Sequence, residues 1–182
     1  TSYVDKRGHN RNSLEFLLKS ALGFTSYTPL TDTNVVKDFS QEVRIASDGS
    51  GPFNYVVGAF YQHRKRGYQQ EHHEAGFDAV IGAPSTSLGT PETDQSYFAT
   101  QDIRQTQKAL FAELSYKILP ELTATAGLRY FHFKERSATY ASGALNGSPS
   151  SSKGKFSEDG VTPKFNLSYE LGKNNMVYAQ AV

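Results

Sequence analysis

The chain has 182 residues, a formal net charge of +1 and no cysteine. The near-neutral charge gives no electrostatic indication of nucleic-acid binding, and the lack of cysteine excludes a disulfide framework or a thiolate metal site. Hydrophobic residues make up only 37% of the chain, which is low for one large core but suits a barrel with a polar interior. No run of about 18 apolar residues is present, so no membrane-spanning helix is predicted, whereas the weaker signal of membrane strands leaves a β-barrel open.

The first part of the chain predicts the end of a strand at residues 1–4, followed by a long connection at 5–35. Helical spacing within that connection predicts one short helix, on Leu14, Leu17, Leu18, Ala21 and Leu22. Asn12 with Glu15 resembles a capping box, and Gly23 suits the end of the helix.

Alternation of apolar and polar residues predicts strands at 38–46, 53–61, 110–118, 122–130 and 161–170. It is clearest at 161–170, where Phe165, Leu167 and Tyr169 alternate with Lys164, Asn166 and Ser168. Successive side chains of a strand leave on opposite faces, so each segment is a ribbon with one apolar and one polar side. Such a ribbon fits either a soluble sandwich or the wall of a membrane barrel.

The lengths of the connections favour the membrane barrel. Short turns at 47–52, 119–121 and 172–175 alternate with long connections at 5–35, 65–100 and 137–157. Outer-membrane barrels have short periplasmic turns and longer extracellular loops, whereas a soluble meander has no need of that alternation. Aromatic residues near the strand ends on the apolar faces fit the girdles of such barrels, namely Tyr61, Tyr116, Tyr130 and Tyr169.

Three hairpins carry a family resemblance: residues 39–47 with 53–61, 109–116 with 122–130, and 162–169 with 175–179. In order and spacing they resemble barrel strands of TonB-dependent outer-membrane receptors. The resemblance implies a barrel of about 22 strands with a plugged lumen, in the outer membrane of a Gram-negative bacterium. Such receptors import scarce solutes, often ferric siderophores, with energy from the TonB complex of the inner membrane.

The resemblance implies that residues 1–182 are a partial barrel domain, an antiparallel meander of about six strands without the plug domain and the final barrel strands. The chain starts without Met and stops within a strand-like pattern, which also leads us to expect a fragment. Its implied partners are outer-membrane lipid or lipopolysaccharide, the TonB complex through an absent N-terminal region, and a small solute. Two alternatives remain, a passive outer-membrane porin or channel and a soluble β-sandwich that binds carbohydrate or protein.

One candidate functional cluster lies in the connection predicted after the second strand. Its members are His63, Arg64, Lys65, Arg66, Glu71, His72, His73, Glu74 and Asp78. Imidazoles and carboxylates this close could bind a metal, and the basic run could bind an anionic siderophore or a lipopolysaccharide phosphate. Adjacent His72 and His73 project in different directions on any regular backbone, so the favoured interpretation is a solvated loop and no metal site is predicted.

A second candidate cluster is formed by charged residues on the polar faces of the strands, hence towards the expected lumen: Glu42, Arg44, Glu113, Arg129 and Lys164. They could contact the plug or line the solute path, and the simpler interpretation is a polar wall of mutually compensating charges. Residues 48–51 faintly resemble a calcium loop but lack its later ligands, so they predict a tight turn. No nucleophile elbow, P-loop or dinucleotide fingerprint is present, so neither an enzyme nor a cofactor is predicted.

Overall fold

The computed structural model describes residues 1–13, 19–20, 23, 25, 28–172 and 175–182. In these ranges every strand pairs antiparallel with the next one along the chain, which makes a single seven-stranded sheet. The strands are β1 (Ser2–Ser13), β2 (Pro29–Ala46), β3 (Phe53–His73), β4 (Gln95–Leu119), β5 (Leu122–Ser142), β6 (Ser150–Gly172) and β7 (Asn175–Ala181). The predicted antiparallel meander is therefore confirmed, and the strand end expected at residues 1–4 is a complete strand beside the six others.

One face of this sheet is apolar and exposed. Phe165, Leu167 and Tyr169 on β6 are 60%, 47% and 41% exposed, and Leu128 on β5 and Leu114 on β4 are equally open. Directly paired residues of neighbouring antiparallel strands point to the same face, so these side chains form one continuous surface. No second sheet covers that surface within the described ranges, which is the arrangement expected of a membrane wall and not of a sandwich.

The prediction of a loop over 5–35 is wrong at both of its ends. β1 continues to Ser13 and β2 begins at Pro29, so the two strands pair along twelve positions. Asn12, expected to cap a helix, instead pairs with Leu30 in this ladder. The apolar positions of the predicted helix all lie outside the described residues. None of the helices that are described is long and apolar enough to cross a membrane.

The other two long connections are also shorter than the sequence indicates. The expectation of loops over 65–100 and 137–157 is wrong, because the strands leave only residues 74–94 and 143–149 outside the sheet. In the strand extensions both faces carry mainly polar side chains, so the alternation that reveals a strand in the sequence disappears. Backbone pairing continues there because neighbouring strands still supply hydrogen-bond partners.

The connection between β3 and β4 is itself folded. It contains a short helix, α1 (Phe77–Ile81), and a 3-10 helix (Ser85–Leu88). Phe77 is fully buried and packs against Leu30. The Asp78 carboxylate accepts the backbone N–H of Ser85 at 2.8 Å and that of Asp94 at 3.0 Å. A loop expected to be solvated is therefore a compact unit that satisfies its own polar groups.

Candidate functional site

The face opposite the apolar surface carries a group of charged and aromatic side chains from five neighbouring strands. We call it the polar-face cluster, and its members are Glu42, Arg44, Phe60, Phe111, Glu113, Arg129 and Lys164. Most of them line an open cavity of about 340 Å³. The five charged residues that the sequence assigns to the polar face are thus brought together on it.

Ion pairs link charged members of the polar-face cluster. Lys164 Nζ on β6 donates to Glu113 Oε2 on β4 at 2.8 Å. The pair spans the intervening strand at Gly127, which lies opposite both residues in the register and has no side chain to obstruct them. Arg44 donates to Glu42 on its own strand. These side chains are partly exposed, so solvent screens both ion pairs and each contributes little to stability.

Aromatic rings hold the two guanidinium groups of the cluster. The Arg44 guanidinium lies 5.6 Å from the Phe111 ring centroid, and that of Arg129 lies 5.6 Å from the Phe60 ring and 6.0 Å from the Phe111 ring. Phe111 reaches between the arginines because its neighbour on β3 is Gly58, whose missing side chain leaves room for the ring. Such cation–π contacts are worth about 0.5–1 kcal/mol at exposed sites.

The aromatic part of this site was not found from the sequence. Phe60 and Phe111 occupy positions that belong to the polar faces of their strands. In the sequence they look like interruptions of the apolar–polar alternation and do not indicate a site. A glycine directly opposite an aromatic residue on the neighbouring strand could have indicated this contact, since aromatic rings often pack over strand glycines in sheets. Gly160 opposite Phe131 repeats it, because a Cβ at Gly160 would lie 2.5 Å from the Phe131 ring.

The polar-face cluster is only partly neutral. Three basic and two acidic side chains leave one positive charge in excess. Arg129 is the member that has no ion-pair partner within 4.0 Å among the described residues. The predicted wall of compensating charges is therefore present, with one guanidinium, that of Arg129, that has no carboxylate within 4.0 Å among the described residues.

The structure separates the residues of the predicted histidine cluster. His72 and His73 flank an irregularity in the pairing of β3 with β4, at which Ser96 has no partner. His72 is fully buried, its Nε2 donates to the carbonyl oxygen of Thr28 at 3.1 Å, and its Nδ1 accepts from Ser96 Oγ at 2.7 Å. Burial lowers the pKa of His72, against the opposing effects of the Thr28 hydrogen bond and a nearby carboxylate.

The carboxylates of that cluster also have separate roles. His73 Nε2 lies 3.9 Å from Glu71 Oε2, whereas Glu74 Oε2 accepts the backbone N–H and the hydroxyl of Thr28 at 3.0 and 2.8 Å. Asp78 holds the folded connection described above. Within the described part of the chain, no three His, Asp or Glu side chains are placed to hold a metal ion.

The basic run that precedes the cluster is divided between the two faces of β3. Arg64 faces the polar side, where its Nε and Nη2 donate to Asp38 Oδ2 at 2.8 and 2.5 Å. His63 and Lys65 face the other side, since they lie at even spacing from Tyr61 on the apolar surface. The basic residues are consecutive in the sequence, but their side chains are therefore divided between the polar face and the opposite face of the sheet.

The predicted tight turn at residues 48–51 is present. Asp48 Oδ1 accepts the hydroxyl of Ser50 at 2.8 Å and its backbone N–H at 3.1 Å. These hydrogen bonds from Ser50 lower the pKa of Asp48, and they occupy the carboxylate within the turn.

Known proteins resemble this sheet in sequence pattern and in fold. The family model described as "TonB dependent receptor-like, beta-barrel" matches residues 2–181. The crystal structure of the ferric yersiniabactin uptake receptor FyuA from Yersinia pestis is similar with a TM-score of 0.67, covers 86% of this chain and is 18% identical. At that identity the likeness concerns the fold, and this chain spans 22% of the length of that receptor. No curated protein sequence matches the chain.

Replacement of Gly58 by alanine is expected to destabilise the sheet, whereas Gly127→Ala is not. A Cβ at Gly58 would lie 2.4 Å from the Phe111 ring and 2.8 Å from the backbone oxygen of Val43, so the ring must leave its place between the arginines. At Gly127 the nearest atom would be 3.4 Å away. We expect Gly58→Ala to cost about 1–3 kcal/mol and Gly127→Ala less than about 1 kcal/mol in denaturant unfolding of the full-length protein. Equal costs for the two variants would contradict this assignment of the packing.

Acidification is expected to loosen the folded connection around His72. The pKa of His72 in the folded protein is lowered from 6.5, so the unfolded chain takes up a proton first and stability falls as the pH drops from about 7 to about 5. Hydrogen exchange of residues 74–94, corrected for the intrinsic rate, measures this loss. His72→Asn removes the titrating group, and its exchange rates should then change little over the same range. A variant at the exposed His9, His9→Asn, serves as the control and should behave like the parent protein.

Proposed function

Since the chain belongs to the family of TonB-dependent receptor-like β-barrels, we propose that its sheet is part of the wall of an outer-membrane barrel that takes up scarce solutes. One observation carries the proposal: a single meander exposes an apolar face on one side and a charged face on the other. The apolar face is stable against lipid, and the charged face is stable against water or a polar protein domain. A barrel in a membrane provides both surroundings at once.

The length of the apolar surface supports this placement. Outward apolar side chains run from Leu122 to Tyr130 on β5 and from Val161 to Leu171 on β6. These segments match the roughly 9–11 residues with which a tilted strand crosses the hydrocarbon layer. Beyond them β5 and β6 continue to Ser142 and from Ser150, so the extended ends belong outside the cell and the short turns belong in the periplasm.

The proposal extends to energised uptake. In it, residues 1–182 are a partial barrel domain, and a plug domain and the segment that engages TonB belong to other parts of the full-length protein. Ferric siderophores are the proposed cargo, since the similar structure is that of a ferric yersiniabactin uptake receptor. The polar-face cluster then faces the lumen, where Arg129 offers a cation to the plug or to an anionic solute. Its side chains serve transport in this proposal, and none is assigned a catalytic role.

Uptake by cells tests the function. The full-length protein is expressed in a Gram-negative strain that lacks its own siderophore receptors, and radio-iron-labelled siderophore complexes, yersiniabactin included, are supplied. We expect accumulation that stops when TonB is removed or the proton-motive force is dissipated. Uptake that persists without energy would favour the passive channel instead. If no iron complex, vitamin B12 or glycan accumulates in an energy-dependent way, the transport proposal is wrong.

Arginine substitution on the outward face tests the wall itself. Leu128→Arg places a cation in the middle of the apolar surface, which should weaken folding into lipid vesicles by about 2–4 kcal/mol. Ala138→Arg introduces the same side chain on the same face of β5, beyond the apolar segment, and should cost at most about 1 kcal/mol. Denaturant unfolding of the full-length protein in vesicles measures both. Equal effects at the two positions would contradict a lipid-facing surface.

A further inference from the structure

A continuous row of cations crosses the sheet beyond the apolar surface. The register pairs Lys37 with Lys65, Lys65 with Arg104, Arg104 with Arg136, and Arg136 with Lys155. Directly paired residues share a face, with Cβ atoms about 4.5–5.5 Å apart. Five consecutive strands therefore place one basic side chain each in a single line, which we call the basic row.

The basic row lies on the same face as the apolar surface. Each member is an even number of positions from an exposed apolar residue of its own strand, and these residues are Phe39, Tyr61, Leu110, Tyr130 and Val161. The separations are two to six positions, which corresponds to about 7–20 Å along a strand. The row therefore stands just outside the hydrocarbon layer, at the level of lipid headgroups.

The charges of the basic row are not neutralised by the protein. All five side chains are exposed, and within the described ranges none has an ion-pair partner closer than 4.0 Å. The acidic residues nearest in register are Asp5, opposite Lys37, and Asp102, two positions from Arg104. Like charges directly opposite each other in a sheet are destabilising, so the row lowers the stability of the fold unless anions bind to it.

The β4 to β6 end of the basic row has the shape of an anion site. A shallow cavity of about 250 Å³ is lined there by Arg104, Arg136, Lys153 and Lys155 and by the carboxylate residue Asp102. The four cations and the single carboxylate give the lining of this cavity a net positive charge. Two of them are guanidinium groups, which can bind a phosphate through two parallel hydrogen bonds.

We propose that the basic row binds the phosphate groups of lipopolysaccharide in the outer leaflet around the barrel. The inference rests on the proposed function, in which the apolar face contacts lipid. A ligand on the row must lie along the outer wall, directly above the acyl chains that cover Leu110 and Tyr130. A phosphorylated glycolipid meets both requirements at once, because its acyl chains cover the apolar surface while its phosphates reach the cations.

The test compares two triple variants of the full-length protein with the same change in charge. The first, Arg104→Gln with Arg136→Gln and Lys155→Gln, removes the middle and one end of the basic row. The control, Lys6→Gln with Arg66→Gln and Lys117→Gln, removes three cations from the polar face. Binding of purified bisphosphorylated lipid A in detergent is measured. We expect the first variant to bind about 100-fold more weakly, since each cation near a lipid surface contributes about 1 kcal/mol, and the control to bind like the parent.

Further ligands identify the source of the phosphate. Dephosphorylated lipid A and inorganic phosphate should bind weakly to every variant, and vesicles with phosphatidylglycerol should not distinguish the variants as lipid A does. Equal lipid A affinity of the two triple variants would overturn the proposal, as would tight binding of dephosphorylated lipid A or of inorganic phosphate. If phosphatidylglycerol vesicles show the same difference in affinity between the two triple variants as lipid A does, the assignment to lipopolysaccharide is overturned.

Two controls separate this inference from the proposed function. Arg104→Lys with Arg136→Lys keeps the charge and the fold while removing the paired hydrogen bonds, so intermediate affinity is expected, and unchanged affinity would contradict a role for the guanidinium groups. Insertion into neutral phosphatidylcholine vesicles is measured by protease protection. Failure to insert would overturn the lipid-facing wall, whereas normal insertion with equal lipid A binding by the triple variants overturns the basic row alone.

Discussion

The register of the sheet is the constraint on which its other features depend. Each strand pairs with the next without interruption over most of its length, and the shifts in pairing lie at strand ends, next to His72, Lys117 and Glu170. Side chains alternate with a period of two, so a slip by one residue would carry Leu128 to the polar face and Arg129 to the apolar face. The hydrophobic surface, the polar-face cluster and the basic row therefore all require one and the same pairing.

Sequence patterns reveal this fold where the two faces of a strand meet different surroundings. In the proposed barrel, residues 161–170 separate lipid from the lumen and show a clean alternation, whereas residues 150–160 of the same strand have water on both sides and show none. Secondary structure in the second stretch is imposed by the neighbouring strand and leaves no periodic signal. This lack of a periodic signal explains why residues 65–100 are wrongly predicted as a loop. It also explains why the basic run that starts at His63 is assigned to a loop.

The candidate sites were predictable to different degrees for related reasons. The face of a charged residue follows from its position in the strand, so Glu113 and Lys164 were assigned correctly to the polar side. Their pairing was not predictable, because the two residues are far apart in the chain and meet across the strand between them. The basic row was equally inaccessible, since its members are far apart in the chain and become neighbours only through four registers. The prediction of a solvated loop around His72 is wrong because its surroundings depend on a bulge and on the buried Ser96. No local sequence pattern indicates either of them.

The length of β4 has a consequence for the outer end of the proposed barrel. Its 25 residues extend for about 85 Å, and a strand tilted by roughly 40° rises about 65 Å, more than twice the height of a membrane barrel's apolar band. In the proposed barrel most of the excess stands on the outer side, where residues 74–94 form the folded connection. The outer opening of the proposed barrel therefore stands well above the level of the lipid headgroups.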